Sequence, residues 1–294
     1  MEIVKGKIST LRLCADMRIP NRIKECKIMG VDIACTSMNH LLRTIKDRLP
    51  ELSGNYICAT NVHAIVTAYR DESYRKVQND AFMRLPDGAP VAMVAGTRSE
   101  TRAEKISGPD VMTEIFKVSA SYGYKHYFYG STEETLKKLE DTLYKKYPGI
   151  NIVGMKSPPF RPLTKEEDAE VIRDINHAEP DFIWVGLGAP KQEIWMYEHQ
   201  EKVKGLMIGV GAGFDFHAGT VRRAPGWMQE LCLEWLFRLM QDPKRLIPRY
   251  MDTNFSFIHY VWKENKLLKK KNQELVHTPS RPKTGMKIAM IGHK

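Results

Sequence analysis

The chain has 294 residues, enough for one large domain or two lobes around a sizeable core. Its 43% apolar and 27% charged residues exclude a grossly disordered chain. No stretch approaches the ~20 apolar residues that cross a bilayer. The opening MEIVKGKIST carries early charges and not the apolar stretch of a secretory signal. Five scattered cysteines without a CxxC pair favour reduced thiols in the cytoplasm over a disulfide framework or a zinc site.

The net charge of +10 is concentrated near the C-terminus. From Arg238 to Lys294 there are thirteen Lys and Arg against four Asp and Glu, a net of +9, which leaves +1 for the rest of the chain. A basic segment of this kind suits phosphate, nucleic acid or an anionic membrane surface. A solubilising tail is the simpler alternative.

Apolar runs alternate with helix-like segments through the middle of the chain. The strand-like runs are KIMGVDI, NYICAT, a run near Met83, HYFYG, INIVGM, FIWVGLG and LMIGVGAG. Helices are predicted from Asn39 to Leu49 and from about Val62 to Asp80, and two more at the capping-box pairs Ser131 with Glu134 and Thr164 with Glu167. This alternation predicts an α/β fold with a parallel, Rossmann-like sheet.

The predicted organisation has four parts: an N-terminal extension (1–27), an α/β core (28–220), a helical, basic appendage (221–275) and a flexible tail (276–294). The appendage is predicted to be mostly helical, with breaks at Pro225, Pro243 and Pro248. The last residues, MKIAMIGHK, resemble the first strand of another α/β domain. They are interpreted either as a fusion remnant or as a surface strand.

Polar side chains follow several predicted strands at the point where each strand ends. They include Asn61 after NYICAT, Asp87 in LPDGAP, Gln192 in GLGAPKQE and Asp215 after LMIGVGAG. Since ligands of parallel sheets bind beyond the carboxyl ends of strands, this convergence predicts a ligand site there. The glycines of GVGAG and GLGAPKQE suit a diphosphate lying against backbone N–H groups, although tight turns explain them equally well.

Asp87 is a candidate general base because a Pro-Asp-Gly turn would fix its carboxylate before substrate arrives. An ordinary turn residue is the alternative. Asp215, His63 and His217 are further acid–base candidates. Their alternatives are a local backbone hydrogen bond for the aspartate and structural roles for the histidines.

The sequence carries no metal-binding signature. The histidines lack HExxH spacing and the aspartates form no DxD pair, so a metal-independent mechanism without a cofactor is favoured. There is no P-loop, GxSxG motif or kinase set. The missing Rossmann fingerprint argues against a nucleotide-dependent oxidoreductase.

Arginines and aromatic residues are dense between Arg222 and Tyr250. Arginine forks match phosphate oxygens bidentately. The stretch WMQELCLEWLFRLM overfills one helical face with apolar residues, which indicates packing on the protein's own body or on another subunit and leaves a homo-oligomer open. Further on, FSFIHYVWKENKLLKKK places aromatics before a lysine cluster, a pattern typical of an anionic membrane interface, with a solvated helix end as the alternative.

At these residues the sequence resembles the WecG/TagA/CpsF family of bacterial glycosyltransferases. The matching stretches run in family order from about Ile28 to Phe257: TNVHAIVTAYRD, LPDGAPV, ISGPDVM, YGST, PDFIWVGLGAPKQEIWM and GVGAGFDFHAGTVRRAPGWMQELCLEWLFRLMQDPKRLIPRY. The resemblance implies an inverting, metal-independent transfer of a sugar from a UDP-sugar to an undecaprenyl-diphosphate-linked acceptor. It implies a peripheral protein at the inner face of the plasma membrane, in cell-surface or extracellular polysaccharide biosynthesis.

The resemblance also implies roles for individual residues. Asp87 would be the general base. Substrate would be bound by Thr60, Asn61, Gln192, Arg238, Arg245 and Arg249, with the arginines on the diphosphate. Some members have Thr where this chain has Ala59, and Thr60 is the adjacent candidate. The motifs do not choose among N-acetylmannosamine, glucose and glucuronic acid donors.

A basic, nucleic-acid-binding α/β protein is the competing hypothesis. It draws support from the +9 segment with its interleaved aromatics. No recognised nucleic-acid motif appears, and the charge lies beside polar groups that suit a sugar nucleotide. The sequence therefore favours UDP-sugar, lipid-linked acceptor and membrane as partners, and no nucleic acid.

Overall fold

The computed structural model describes residues 23–99 and 101–276, without the side chains of 230, 245 and 271–276. Residues 1–22 of the predicted extension and residues 277–294 of the predicted tail, with the MKIAMIGHK segment, lie outside the described residues.

The first described element is a two-stranded antiparallel hairpin, β1 (Glu25–Ile28) and β2 (Val31–Ala34). The sequence predicted a single strand over KIMGVDI, and this prediction is wrong. Met29 and Gly30 both have positive φ (51° and 86°), which is the requirement of a tight two-residue hairpin turn. Strand β1 begins at Glu25, close to the core boundary predicted at Ile28, and the predicted division of the chain into four parts stays a prediction.

A six-stranded parallel sheet forms the centre of the molecule and confirms the predicted fold class. Its strands are β3 (Tyr56–Thr60), β4 (Met83–Pro86), β5 (Lys125–Gly130), β6 (Asn151–Lys156), β7 (Phe182–Gly186) and β8 (Leu206–Gly209). Their spatial order is β4-β3-β8-β7-β5-β6, so β8, the last strand in sequence, lies beside β3, the first of this sheet. Strands such as β7, whose Phe182 to Val185 are all buried, read as continuous apolar runs because helices cover both faces.

The helices of the core are α1 (Met38–Arg48), α2 (Val62–Arg70), α3 (Glu72–Asn79), α4 (Ala89–Arg98), α5 (Gly108–Tyr122), α6 (Glu133–Lys146), α7 (Lys165–Ala178), α8 (Lys191–His199) and α9 (Gly213–Ala218). A short 3₁₀ helix (Leu49–Leu52) follows α1. The appendage contains α10 (Gly226–Glu230), α11 (Glu234–Gln241) and α12 (Pro243–Val276).

Two predicted features of the core helices need correction. The segment predicted as one helix from Val62 to Asp80 is α2 and α3, separated at Asp71, whose side chain accepts hydrogen bonds from the first turn of α3. Helix α6 is capped by Thr132 and not by Ser131, which has a positive φ of 60°. The capping box of Thr164 and Glu167 is confirmed at α7.

The appendage differs from its prediction in two places. The overfilled helical face is interrupted between α10 and α11. Leu231, Trp235 and Met240 are exposed on this chain, so that packing of these residues on another subunit stays a prediction. Pro248 lies inside α12 and does not break it.

Helix α12 docks on the core along one face. Phe257 and Val261 are buried among residues of the hairpin, α2 and α4. Polar contacts reinforce this docking: Arg70 makes a bidentate pair with Asp252 at 2.7 and 2.8 Å. Further along, Arg98 lies 2.7 Å from Glu264. The basic helix is therefore held against the α/β body between Asp252 and Glu264.

Candidate active site

The candidate site lies at the carboxyl edge of the sheet, beyond β3, β4, β7 and β8. The backbone N–H of Asp87 donates to the carbonyl of Thr60 at 3.1 Å, which joins the ends of β4 and β3. On the other side of β3, Cys58 is in register with Gly209 of β8. Helices α2, α4 and α8 begin at this edge, and their N-terminal N–H groups favour a bound anion.

Asp87 is half-buried directly after β4. Burial, together with the negative charges of Glu234 and Asp110, raises the pKa of Asp87 to about 6, although Arg238 and Lys105 oppose the rise. A carboxyl with such a pKa is mostly ionised at neutral pH and is a stronger base than an ordinary aspartate. Of these neighbours, Asp110 lies in α5 and Lys105 lies in the segment before α5, whereas Glu234 and Arg238 lie in α11.

A network of ion pairs holds α11 against the core beside Asp87. Arg223 lies 2.7 Å from Asp110 and 3.3 Å from Glu234, and Lys105 lies 3.6 Å from Glu234. The hydroxyl of Ser107 also donates to Asp110 at 2.5 Å. Although burial acts to raise it, hydrogen bonds from Arg223 and Ser107 lower the pKa of Asp110. Asp110 is therefore the ionised partner of Arg223, and Asp87 differs from it in its raised pKa.

The three predicted arginines lie on the appendage helices. Arg238 of α11 lies over the Phe216 ring, 5.3 Å from its centroid, and its charge acts on Asp87. Arg249 of α12 is half-buried and acts electrostatically on His63 and Glu193. Arg245 lies in α12, and its side chain is outside the described part of the chain. The structure thus brings Arg238 to Asp87 and Arg249 to the neighbouring α2 and α8.

Thr60 and Asn61 support the site from the end of β3. The Thr60 side chain is fully buried, and its hydroxyl donates to Gln78 at 2.8 Å, so in this arrangement its carbonyl and not its hydroxyl faces Asp87. Asn61 is the N-cap of α2, where its Oδ1 accepts from the N–H of Ala64 at 3.1 Å. Substrate binding by these two residues stays a prediction.

Gln192 is buried in the first turn of α8, and protein groups contact both ends of its amide. Its Oε1 accepts from the N–H of Gly211 at 3.0 Å, and its Nε2 donates to Glu193 Oε1 at 2.8 Å. Gln192 therefore links α8 to the GVGAG loop after β8. A substrate contact of this side chain stays a prediction.

The other acid–base candidates take different positions. Asp215 lies in the first turn of α9 and accepts from the hydroxyl of Thr220, which follows the helix, at 3.3 Å, in keeping with a local structural role. His217 lies 3.3 Å from the carbonyl of Pro109, and burial lowers its pKa to about 4. His63 has a buried Nδ1 without a hydrogen-bond partner among the described residues, and burial lowers its pKa to about 4 as well. Both histidines are neutral at pH 7.

Comparison with known proteins decides the family. A sequence model of the glycosyl transferase WecG/TagA/CpsF family matches residues 26–272. The chain belongs to this family. It is 29% identical over 222 residues to an N-acetylglucosaminyldiphosphoundecaprenol N-acetyl-beta-D-mannosaminyltransferase of Staphylococcus aureus (strain MW2), covering 74% of this chain and 85% of that protein. It is 31% identical over 211 residues to the Bacillus subtilis (strain 168) protein of the same name, covering 70% and 80%.

Membership of the WecG/TagA/CpsF family makes this protein a glycosyltransferase. The family match extends through α11 and nearly to the end of α12, so the appendage is part of the family unit. In the stretches that the structure describes, no group of three or more His, Cys, Asp or Glu side chains could hold a metal ion. Nor is any described helix both long and apolar enough to cross a bilayer.

Several residues of this glycosyltransferase site escaped the sequence analysis. Lys105, Asp110 and Glu234 act electrostatically on Asp87, and Glu193 accepts a hydrogen bond from Gln192. Asp110 lies in the ISGPDVM stretch that carries the family resemblance, and Arg223 lies in the arginine-rich region. The sequence therefore showed that a carboxylate and an arginine are present in these two segments. It did not show their pairing, because each partner comes from a distant part of the chain.

Proposed function

We propose that the protein transfers a sugar from a UDP-sugar to a polyprenyl-diphosphate-linked N-acetylglucosamine acceptor, with inversion and without a metal ion. The carrying observation is Asp87, half-buried at the carboxyl edge of the sheet with its pKa raised to about 6. The relatives' printed name, an N-acetylmannosaminyltransferase, makes N-acetylmannosamine the first donor sugar to test. Glucose and glucuronic acid donors are the alternatives.

The chemistry follows from a single displacement. Asp87 accepts the proton of the acceptor hydroxyl while that oxygen forms a bond to the anomeric carbon of the donor sugar. The bond between this carbon and the diphosphate oxygen breaks, and UDP leaves with the bonding electron pair. Attack from the opposite side inverts the anomeric centre.

The negative charge that develops on the leaving diphosphate needs counter-charges. Arg238 lies close enough to act on Asp87, and the N-termini of α2, α4 and α8 converge on the same edge. Arg249 adds a positive charge from α12, and Arg245 of the same helix stays a predicted diphosphate contact. In the proposed mechanism these groups perform the charge stabilisation that a divalent cation performs in other sugar-nucleotide enzymes.

The outer face of α12 suits the surface of an anionic membrane. Met251, Phe255, Ile258 and Trp262 repeat at helical spacing opposite the docked face and are each between 57% and 66% exposed. A lysine cluster (Lys263, Lys266, Lys269 and Lys270) follows them. Apolar side chains flanked by lysines bind the headgroup region of anionic bilayers. We place the protein on the inner face of the plasma membrane, where it would act in cell-surface or extracellular polysaccharide biosynthesis.

The test is UDP release from a panel of UDP-sugars, with a short-chain polyprenyl-diphosphate N-acetylglucosamine acceptor and EDTA present. We expect acceptor-dependent release with one sugar, and far slower release with Asp87→Asn. Release that requires a divalent cation would reject metal independence, and no release with any sugar would reject the proposed reaction.

A second measurement separates the membrane from nucleic acid as the partner of the basic helix. We expect tighter binding to anionic vesicles than to RNA at matched salt concentration. The reverse order would favour the nucleic-acid hypothesis, which the basic aromatic helix also supports.

A further inference from the structure

A series of buried hydrogen bonds runs beneath the candidate site from β3 towards α8. The Thr60 hydroxyl donates to Gln78 Oε1 at 2.8 Å, and Gln78 Nε2 donates to the Tyr74 hydroxyl at 2.9 Å. The Tyr74 hydroxyl lies beside the Glu193 carboxyl. From there the contacts continue through Gln192 to the GVGAG loop. The two sides of the site are thus connected through the protein interior.

Glu193 is the charged member of this series and is only 1% exposed. Its Oε1 accepts from Gln192, while its Oε2 has no hydrogen-bond partner among the described residues. Burial raises the pKa of this carboxyl, and its contacts with the Gln192 amide and the nearby Tyr74 hydroxyl offset only part of the rise. Burying a carboxyl costs free energy, and a glutamine would fill the same volume at a lower cost. Packing alone therefore does not account for a glutamate here.

A carboxylate and an amide at position 193 differ in how strictly they determine the amide orientation of the neighbouring Gln192. In its ionised form Glu193 can only accept, so it selects the NH₂ end of Gln192, and the carbonyl end then faces the Gly211 N–H. A glutamine at position 193 could donate as well as accept and would permit either amide orientation of Gln192. The flipped orientation would place an NH₂ group against the Gly211 N–H and lose that hydrogen bond.

The space around Gln192 leaves little room for other positions. A Cβ added at Gly209 would lie 3.0 Å from Gln192 Nε2 and 2.9 Å from Met196 Cε. The backbone of β8 therefore passes directly over the amide. The orientation of Gln192 and the position of the following loop depend on each other.

We propose that Glu193 is a positioning residue that fixes the amide orientation of Gln192 and thereby holds the GVGAG loop in place for the diphosphate of the donor. Its action on the loop follows from the hydrogen bonds alone. Its effect on the donor rests on the proposed function.

The experiment uses the full chain and the variant Glu193→Gln. Amide hydrogen exchange is measured by NMR without substrate, at Gly211 and at Met207, whose N–H donates to Asn55 within the sheet region. We expect exchange at Gly211 to accelerate by about tenfold, the effect of one lost hydrogen bond, while Met207 is unchanged. Equal acceleration at both amides, or none at Gly211, would overturn the positioning role.

Donor binding is tested in the same proteins. We expect Glu193→Gln to raise the Kd for UDP and the KM for the UDP-sugar by about tenfold, with a much smaller change in kcat. In a Gln192→Ala background the same substitution should have no further effect, because Glu193 acts through Gln192. Additive effects would contradict the proposal.

The matched control is Glu198→Gln, the same substitution at an exposed position of α8. It should leave the exchange of Gly211 and the binding of UDP unchanged. A wild-type protein that binds no UDP would reject the proposed function, whereas the exchange of Gly211 would still decide the role of Glu193.

Discussion

The backbone N–H of Asp87 donates a 3.1 Å hydrogen bond to the carbonyl of Thr60. The hydrogen bond joins the ends of two neighbouring strands, so the parallel sheet fixes the position of the Asp87 backbone, from which the carboxyl side chain extends. It uses only backbone atoms, and a change of the Asp87 side chain should leave the turn in place. This makes Asp87 suitable for a test of chemistry separate from folding.

Asp87→Asn should lower kcat by about 10²- to 10⁴-fold, the usual contribution of a general base, while circular dichroism and the unfolding midpoint stay close to wild type. Initial rates of UDP release measure the loss. Asp141→Asn, an exposed position of α6, is the control and should keep full activity. Turnover near wild type in Asp87→Asn would remove Asp87 from the base role.

The rate of transfer should fall as the pH is lowered through about 6, because a general base must be ionised and burial raises the pKa of Asp87 to that value. Glu234 raises this pKa and Arg238 lowers it. Glu234→Gln should therefore shift the acid limb of kcat/KM to lower pH, and Arg238→Gln should shift it to higher pH. Shifts in the same direction, or none, would contradict the assignment of this limb to Asp87.

The free energy of unfolding should also depend on pH because of the raised pKa of Asp87. Asp87 binds its proton more tightly in the folded state, with a pKa of about 6, than in the unfolded state, with a value near 3.8. Below about pH 4 its contribution to the free energy of unfolding is fully present, and it is lost as the pH rises through about 6. Urea unfolding of wild type and Asp87→Asn between pH 4 and 7 measures this. The stability of the wild type relative to the variant should decrease over that range, and a constant difference would argue against a raised pKa.

Substitutions of two phenylalanines of α12 test the docking of this helix on the core and its contact with the membrane independently. Phe257 is buried against the core, and Phe255, on the opposite face, is 64% exposed. Phe257→Ala should lower the free energy of unfolding by about 3–5 kcal/mol, whereas Phe255→Ala should change it by less than about 0.5 kcal/mol. Phe255→Ala should instead weaken binding to anionic vesicles in a sedimentation assay. Unchanged vesicle binding would reject the outer face as the membrane contact.

The two arginine contacts that dock α12 should differ in strength. The Arg98 and Glu264 side chains are 10% and 28% exposed, and Glu264 also accepts from the N–H of Met29, whereas Arg70 and Asp252 are 43% and 56% exposed. We expect Arg98→Ala to cost about 1–3 kcal/mol and Arg70→Ala about 0–1 kcal/mol in urea unfolding. Arg48→Ala, which removes an exposed pair with Glu51, is the reference near zero. Equal losses for Arg98 and Arg70 would show that burial does not set the strength of these contacts.

The sequence predicted all six strands of the central sheet, because each is a short apolar run bounded by glycine or turn residues. Helices α4 and α5 were not predicted. In α4 the buried residues Val91, Ala92 and Ala95 are accompanied by further small and apolar ones, so no clear amphipathic period marks this helix. The hairpin was missed because its turn residue Met29 adopts a positive φ that few side chains favour.

The sequence by itself determined which chemical groups follow the ends of the strands. Apolar strand runs can be recognised locally in the sequence, and ligands of parallel sheets generally bind beyond the carboxyl ends of the strands. Asp87, Asn61 and Gln192 were identified in this way. Only the tertiary structure decided the surroundings of these groups. It places Glu234 and Arg238 where their charges act on Asp87, and it buries the contact between Glu193 and Gln192. It also brings Arg98 to Glu264, which is 166 residues away in the chain. The strength of such contacts depends on burial and distance, which arise only when remote segments of the chain pack together.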